Sequence, residues 1–370
     1  MIVGITKEIK SDENRVAITP AGVEILKQNG HAVLVETEAG SASGFADAEY
    51  LQAGADVVDS ATTIFQRAEM ILRVKEPQPA EYGLLQKDQI YFSYLHLATS
   101  KALAEALIET KSINVAYETI QKADGSLPLL KPMSQVAGAM AIQEGAKYLE
   151  MAQHGHGVLI GGVPGVDPGT VLVIGVGMVG GTAAKIAAGL GANVHMLDVE
   201  LDRLRYLDDI MPSNCYSVMS SPAAIRELLP KADIVVGSVL VPGSRTPVMV
   251  TRQMLSIMKK GAVLVDVAID QGGCFESSQE TTHAHPTHVV DGIVHYAVSN
   301  MPGALPRTAT IALTNATLPY VLEIAGKGWK EAMQTNPEIR AGANIVNGKT
   351  TYKGVADACE LDYTPIDDLL

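Results

Sequence analysis

Residues 170–180 read Thr-Val-Leu-Val-Ile-Gly175-Val-Gly177-Met-Val-Gly180. An apolar, strand-like run ends on G-x-G-x-x-G, and a helical pattern rich in alanine follows it. Asp198 closes the next strand-like run, 18 residues past Gly180. The glycines alone are a weak signal; strand, turn, helix and distal acid together are what a dinucleotide-binding βαβ unit requires. Gly175 permits the tight turn, and Gly177 lets backbone approach a pyrophosphate. Gly180 lets helix and strand pack closely, and the helix N-terminus faces the phosphates. Asp198 is placed to accept from the ribose hydroxyls. It favours NAD over NADP, whose 2′-phosphate would meet a carboxylate, while Arg203 and Arg205 nearby pull the other way.

That unit sits in a longer alternation. Residues 1–5, 32–36, 70–74, 89–94 and 113–117 read as strands, and 20–29, 46–53, 60–67 and 100–110 as helices. A second series has strands at 170–174, 193–197, 216–219, 233–239, 262–267 and 296–298. Its helices fall at 179–190, 200–210, 222–229 and 251–258. Alternation of this kind predicts α/β architecture with mostly parallel sheets. After residue 305 the pattern is a long helix over 307–324, extended at 329–334. It is too short for a domain and cannot add a seventh strand to the dinucleotide fold. Packing it on the first series gives two doubly wound domains. A Rossmann NAD-binding domain, 131–304, is inserted into a discontinuous substrate and catalytic domain, 1–130 plus 305–370.

Composition narrows the function classes. Lys and Arg number 28 against 41 Asp and Glu, so the net charge is −13. No basic footprint for nucleic acid or anionic lipid exists. The longest uncharged stretch, 168–184, contains five glycines and falls short of a membrane span. The first residues read as a strand and not a signal peptide. Three cysteines, Cys215, Cys274 and Cys359, lie far apart without metal-ligand spacing. Buried thiols in a reduced cytoplasmic setting are expected.

In open α/β sheets, ligands bind beyond the carboxyl ends of the strands. Lys75, His96 and Asp270 each follow a strand-like run, the first two in the first domain and the third in the second. A cleft between the domains would bring them near a nicotinamide. Each also admits a plain structural role. Lys75 fits a solvated loop, His96 a half-buried hydrogen-bonded histidine, and Asp270 the cap of the following turn. Arg15, in Asp12-Glu-Asn-Arg15, can pair with its acidic neighbours. His283-Ala-His285-Pro-Thr-His288 has superficial metal spacing, but it reads as a loop with no completing carboxylate or thiol, so no metal is expected. His154 and His156 read as a polar loop.

Several motifs are familiar together. Gly4-Ile-Thr-Lys-Glu-Ile-Lys, Glu13-Asn-Arg-Val-Ala-Ile-Thr-Pro, Val74-Lys-Glu-Pro and Tyr94-Leu-His-Leu-Ala open the chain. Lys131-Pro-Met-Ser134, Gly161-Gly-Val-Pro-Gly-Val, Asp266-Val-Ala-Ile-Asp-Gln-Gly-Gly and Asn300-Met-Pro-Gly-Ala follow in order. With the glycine fingerprint they make the chain resemble the alanine dehydrogenase family over essentially its whole length. The NAD-binding part of proton-translocating transhydrogenase and the saccharopine dehydrogenases share the opening and the fingerprint. His96 with Asp270 in these contexts matches alanine dehydrogenases.

The resemblance implies reversible oxidative deamination of L-alanine to pyruvate and ammonia with NAD, in a homohexamer. Carried over by motif, Arg15 and Lys75 bind the substrate, and His96 and Asp270 are the catalytic pair. Ser134, Met178, Val179, Asp198, Arg203, Ser220, Val239 and Leu240 line the cofactor beside the glycines. So do Val267, Ala268, Ile269, Asp270, Val298, Ser299, Asn300 and Met301. No nucleic-acid or membrane partner is implied.

Overall fold

The computed structural model describes residues 1–239 and 246–370. Two compact units emerge, one from 1–133 with 303–370, the other from 134–302.

The first unit begins β1 (Ile2–Ile5), α1 (Pro20–Gln28), β2 (Ala32–Glu36), α2 (Asp47–Gln52), β3 (Asp56–Val58) and α3 (Ala61–Arg67). It continues β4 (Met70–Leu72), β5 (Ile90–Ser93), α4 (Lys101–Thr110) and β6 (Ile113–Ala116). α5 (Lys131–Tyr148) leads into the second unit. There follow β7 (Thr170–Ile174), α6 (Met178–Gly189), β8 (Asn193–Asp198), α7 (Leu201–Ile210), β9 (Cys215–Met219), α8 (Pro222–Leu228), β10 (Ile234–Gly237), β11 (Val263–Asp266), β12 (Thr287–Val290) and β13 (Ile293–Tyr296). The chain returns to the first unit with α9 (Pro306–Lys327), α10 (Trp329–Thr335), α11 (Pro337–Ala341), β14 (Ala343–Val346), β15 (Lys349–Thr350) and α12 (Lys353–Cys359).

Helix starts follow ordinary capping chemistry. The Thr19 hydroxyl accepts the Gly22 N–H at 3.2 Å with Pro20 at the first position of α1, and Ser60 and Ser100 cap α3 and α4 in the same way. Strands β4, β5, β6, β10 and β11 are buried along their length, as Val- and Ile-rich parallel strands covered on both faces must be.

The second unit's sheet runs β9-β8-β7-β10-β11-β13, all parallel, with β12 antiparallel on the edge. The first unit repeats that order as β3-β2-β1-β4-β5-β6, then adds β14 and β15 antiparallel. In each sheet the strand order reverses beside the first strand, at β7/β10 and at β1/β4, and crevices open there beyond the carboxyl ends.

Some elements depart from the sequence expectation. The 251–258 segment is a 3₁₀ turn, Arg252–Ile257, with only Leu255 buried, so it has no apolar face to dock an α-helix. The last parallel strand of the second unit is 293–296, not 296–298, because Val263, Leu264 and Val265 pair with Val294, His295 and Tyr296. β3, β12, β14 and β15 were not anticipated. Among the described residues, no helix is long and apolar enough to cross a membrane. Cys215 is half-buried, Cys274 and Cys359 are buried, and all three are free thiols.

Candidate active site

The glycine turn leaves β7 with Gly175 at φ +85°, a left-handed conformation that glycine adopts without cost. A Cβ at Gly180 would run into the Gly175 carbonyl, so α6 approaches the turn as closely as it does only because Gly180 lacks one. Gly177 is the N-cap of the twelve-residue α6 and contributes no capping side chain. Space beside its Cα is open. Among the described residues the first amides of α6 therefore have no side-chain cap, as a pyrophosphate cradle needs. Met178 is exposed and Val179 half-buried beside them.

Asp198 ends β8 and reaches the same turn. Its Oδ2 accepts the Val176 N–H at 2.8 Å, and its Oδ1 accepts the Glu200 N–H at 3.0 Å. Arg203 donates from Nε to the Val176 carbonyl at 2.7 Å and from Nη2 to the Gly177 carbonyl at 3.2 Å. Arg205 pairs with Asp202 at the surface. Ser238, which the sequence reading missed, donates to the Gly175 carbonyl at 2.7 Å. The remaining expected cofactor residues lie beyond the other strand ends. The Ser220 N–H donates to the Asp198 carbonyl at 2.8 Å. Val239, Val267, Ala268 and Ile269 are half-buried after β10 and β11, and Ser134 is half-buried on α5. Val298 and Met301 are buried after β13, with Ser299 and Asn300 half-buried between them. Leu240 lies outside the described residues.

Asp270 is exposed in a 3₁₀ turn, Ile269–Gln271, whose N-cap position belongs to Ala268. Asp270 is thus not the cap of its turn. Asp266 holds this loop: it is buried and accepts N–H groups from Ala268, Cys274 and Phe275. Burial pushes its carboxyl above the usual range despite those bonds.

In the first unit the nominated groups cluster beyond β1, β4 and β5. Lys75 is 9% exposed and so not a solvated loop lysine. Among the described residues its ammonium has no hydrogen-bond partner. Burial, then the charges of Arg15 and Lys10, lower its pKa. Its backbone is fixed by Glu8, whose carboxylate accepts the Val74 N–H at 2.7 Å while gripping the fully buried Arg73 guanidinium at 2.9 and 3.1 Å.

Arg15 does pair with an acid. Its Nε and Nη2 donate to Glu13 at 2.7 and 2.5 Å, and Nη1 lies 3.1 Å from the Met133 sulfur. Burial opposes ionisation of Glu13, but the Arg15 bonds and charge hold its carboxyl below the usual value. Even so paired, Arg15 exerts the largest charge effect felt by Lys75.

His96 is displayed with its ring still accessible to solvent, stacked 6.1 Å from Tyr94. Crowding by protein and then the Lys75 charge push its pKa down to about 4, so it is neutral near pH 7. Its backbone is left-handed at φ 49° and ψ 34°. Glu118 accepts both the Leu95 and the His96 N–H. Glu118 follows β6 and stands where the strand-end rule would have found it. Glu8 stands equally close past β1, while Glu13 lies farther along that loop and gave no such signal.

Among the described residues, no three His, Cys, Asp or Glu side chains gather to hold a metal. His283 lies 3.3 Å from the Asn300 carbonyl. His288 belongs to β12 and not to a loop; it stacks on His295 at 4.9 Å. His156 bonds Asp233 at 2.9 Å.

Residues 4–137 match the family model described as alanine dehydrogenase/PNT, N-terminal domain, and 141–353 that described as its C-terminal domain. The chain belongs to the alanine dehydrogenase/PNT family. An alanine dehydrogenase of Methanococcus maripaludis is 52% identical over 371 residues, with 100% of both chains covered. Alanine dehydrogenase 2 of Staphylococcus aureus is 49% identical with the same coverage. A solved L-alanine dehydrogenase superposes with a TM-score of 0.94 at 47% identity, covering 100% of each chain. A transhydrogenase from Sinorhizobium meliloti, 24% identical with a TM-score of 0.82 and 95% and 99% coverage, shares the fold.

Proposed function

We propose that this chain is an NAD-dependent L-alanine dehydrogenase, interconverting L-alanine and pyruvate with ammonia. Full-length identity of 52% to an alanine dehydrogenase carries this reading. Lys75 and a neutral His96 displayed beyond adjacent strands support it.

Bound NAD supplies the hydride acceptor for C2 of alanine. The residues that would hold it are the open amides of α6, Gly175, Gly177 and Asp198, together with the loops after β9, β10, β11 and β13. The substrate carboxylate needs cations, and Arg15 and Lys75 supply them. Loss of hydride from C2 leaves a cationic iminium, which Asp270 stabilises as a carboxylate. Water then adds to C2. His96, neutral before reaction, takes a proton in the deamination direction and returns it in the amination direction. Lys75, with its lowered pKa, donates to the oxygen that develops on C2 as the carbinolamine collapses to pyruvate and ammonia.

This reading also makes the protein a cytoplasmic homohexamer. The family resemblance supports the assembly, and the free thiols and acidic charge support the compartment. Light scattering of the purified chain tests the former, and fractionation of cells the latter. The activity test follows NADH oxidation with ammonia and a panel of 2-oxo acids, with NADPH in parallel. Pyruvate with NADH must be the preferred pair. No turnover of any 2-oxo acid would reduce the chain to a dinucleotide-binding module.

A further inference from the structure

The peptide that carries His96 is held from both sides by side chains, Glu118 and Thr99. His96 has left-handed backbone, φ 49° and ψ 34°. A residue with a side chain stays there only when its surroundings hold it. The Glu118 carboxylate accepts the His96 N–H at 2.5 Å and the Leu95 N–H at 3.0 and 3.2 Å. On the other side the Thr99 hydroxyl donates to the His96 carbonyl at 2.8 Å, beside the Thr99 N–H at 3.0 Å. Two successive N–H groups converge on one carboxylate because the backbone between them, at Leu95, is not extended. In an extended strand, successive N–H groups point to opposite sides.

We propose that Glu118 is a positioning residue for the reaction. Glu118 holds the peptide before His96 and Thr99 the peptide after it, so the two together fix the left-handed turn that aims the His96 imidazole. Thr99 completes the grip from the carbonyl side. The inference rests on the assignment of His96 as the acid–base group. Glu118 itself need touch neither substrate nor cofactor. Loss of the carboxylate would let the turn relax toward ordinary backbone and swing the imidazole away. Displacement of a catalytic group by about 1 Å typically costs about 100-fold.

A second role for Glu118 is open to it, because Lys75 is close enough for its charge to act on the Glu118 carboxyl. The substitutions separate the two. Glu118→Gln keeps an oxygen that can accept both N–H groups but removes the charge. Glu118→Ala removes both.

The experiment compares these variants with the wild-type chain in two readouts. One is turnover of pyruvate, ammonia and NADH. The other is amide hydrogen exchange of the peptide containing residues 94–99. Wild-type turnover reports on the dehydrogenase reading itself, whereas the exchange readout needs no activity. Glu118→Ala should lower kcat by about 10- to 100-fold with KM for NADH changed less than about twofold, and should speed exchange at 94–99 by about tenfold or more. Glu118→Gln should recover most of kcat and most of the protection. If Glu118→Gln is as impaired as Glu118→Ala, the charge beside Lys75 matters and positioning is wrong. Wild-type kcat and exchange in a folded Glu118→Ala would overturn it equally. Should Glu118→Ala not fold, the exposed Thr99 decides. Thr99→Val should lower kcat severalfold and speed exchange in the same peptide, and no change in either overturns the proposal.

Discussion

Asp198 and Arg203 grip the same residue from opposite sides. Asp198 accepts the Val176 N–H at 2.8 Å, and Arg203 donates to the Val176 carbonyl at 2.7 Å. Val176 stands between the first two glycines of the fingerprint, so both side chains brace the turn that faces a pyrophosphate. Their remaining capacities differ. On the proposed reading Asp198 also sets a negative charge beside the ribose, whereas Arg203 spends its Nε and Nη2 donors on loop carbonyls.

Asp198→Ala should therefore do two things. It removes an acceptor from the turn, and it removes the carboxylate that repels a 2′-phosphate. KM for NAD should rise by about tenfold, since a hydrogen bond to a charged group contributes about 1.5–3 kcal/mol. Discrimination against NADP should relax. Steady-state kinetics with both dinucleotides check this, and a wild type that uses NADPH as well as NADH refutes the role given to Asp198.

Arg203→Ala should raise KM for NAD severalfold while leaving the NAD-to-NADP preference unchanged. Its guanidinium is committed to Val176 and Gly177 carbonyls and is not held out toward a 2′-phosphate. A shift of that preference toward NAD in the variant would show that Arg203 had been attracting the phosphate after all.

Periodicity carried the fold because its signal is local. Buried parallel strands are short runs of Val, Ile and Leu, and eleven of the fifteen strands among the described residues were anticipated from such runs. β13 was placed three residues late because His295 interrupts its apolar pattern. The structure satisfies that ring with the Ser277 hydroxyl at 2.7 Å and a carbonyl, contacts no pattern displays. β3 and β15 are three and two residues long, too short for a period to register. The strand-end rule selected Lys75, His96 and Asp270, and it would have selected Glu118. Glu8, just past β1, and Asp266, the last residue of β11, also stand at strand ends, whereas Glu13 lies farther along its loop, paired with Arg15, and the rule does not reach it.

His96→Ala and Asp270→Asn should each lower kcat by about two orders of magnitude or more, as positioned acid–base groups usually contribute 10²–10⁴-fold. Asp270→Asn keeps size and removes only charge and basicity. Asp266 holds the loop through the Ala268, Cys274 and Phe275 N–H groups, and the fold of that variant should be intact by circular dichroism. NADH binding should survive in His96→Ala, because the dinucleotide residues belong to the other unit. A loss under tenfold in both would return them to structural roles.

The Lys75 charge acts on His96: it is the second cause, after crowding by protein, of the low His96 pKa. Lys75→Met removes a nearby cation, which favours the imidazolium, so the His96 pKa should rise toward the ordinary value of about 6.5. The pH dependence of diethylpyrocarbonate modification of His96, read by mass spectrometry of its peptide, should show the midpoint move upward. An unmoved or lowered midpoint would mean that the two groups do not sense each other.

Arg15 demands a two-step test, because removing it does more than remove a substrate contact. Arg15 is 2% exposed and Glu13 0%, and their side chains are bonded through two nitrogens. Breaking a buried pair from one side typically costs about 3–5 kcal/mol, since the partner charge stays buried. Arg15→Ala should thus lower Tm by about 5 °C and also raise KM for pyruvate. The single variant cannot tell a clamp from a strut. The double variant Glu13→Gln, Arg15→Met removes both charges at nearly constant volume, so most of the lost Tm should return. If Arg15 holds the substrate carboxylate, KM for pyruvate must stay high in that repaired protein. A KM that returns with Tm would leave Arg15 as structure alone and give the carboxylate to Lys75.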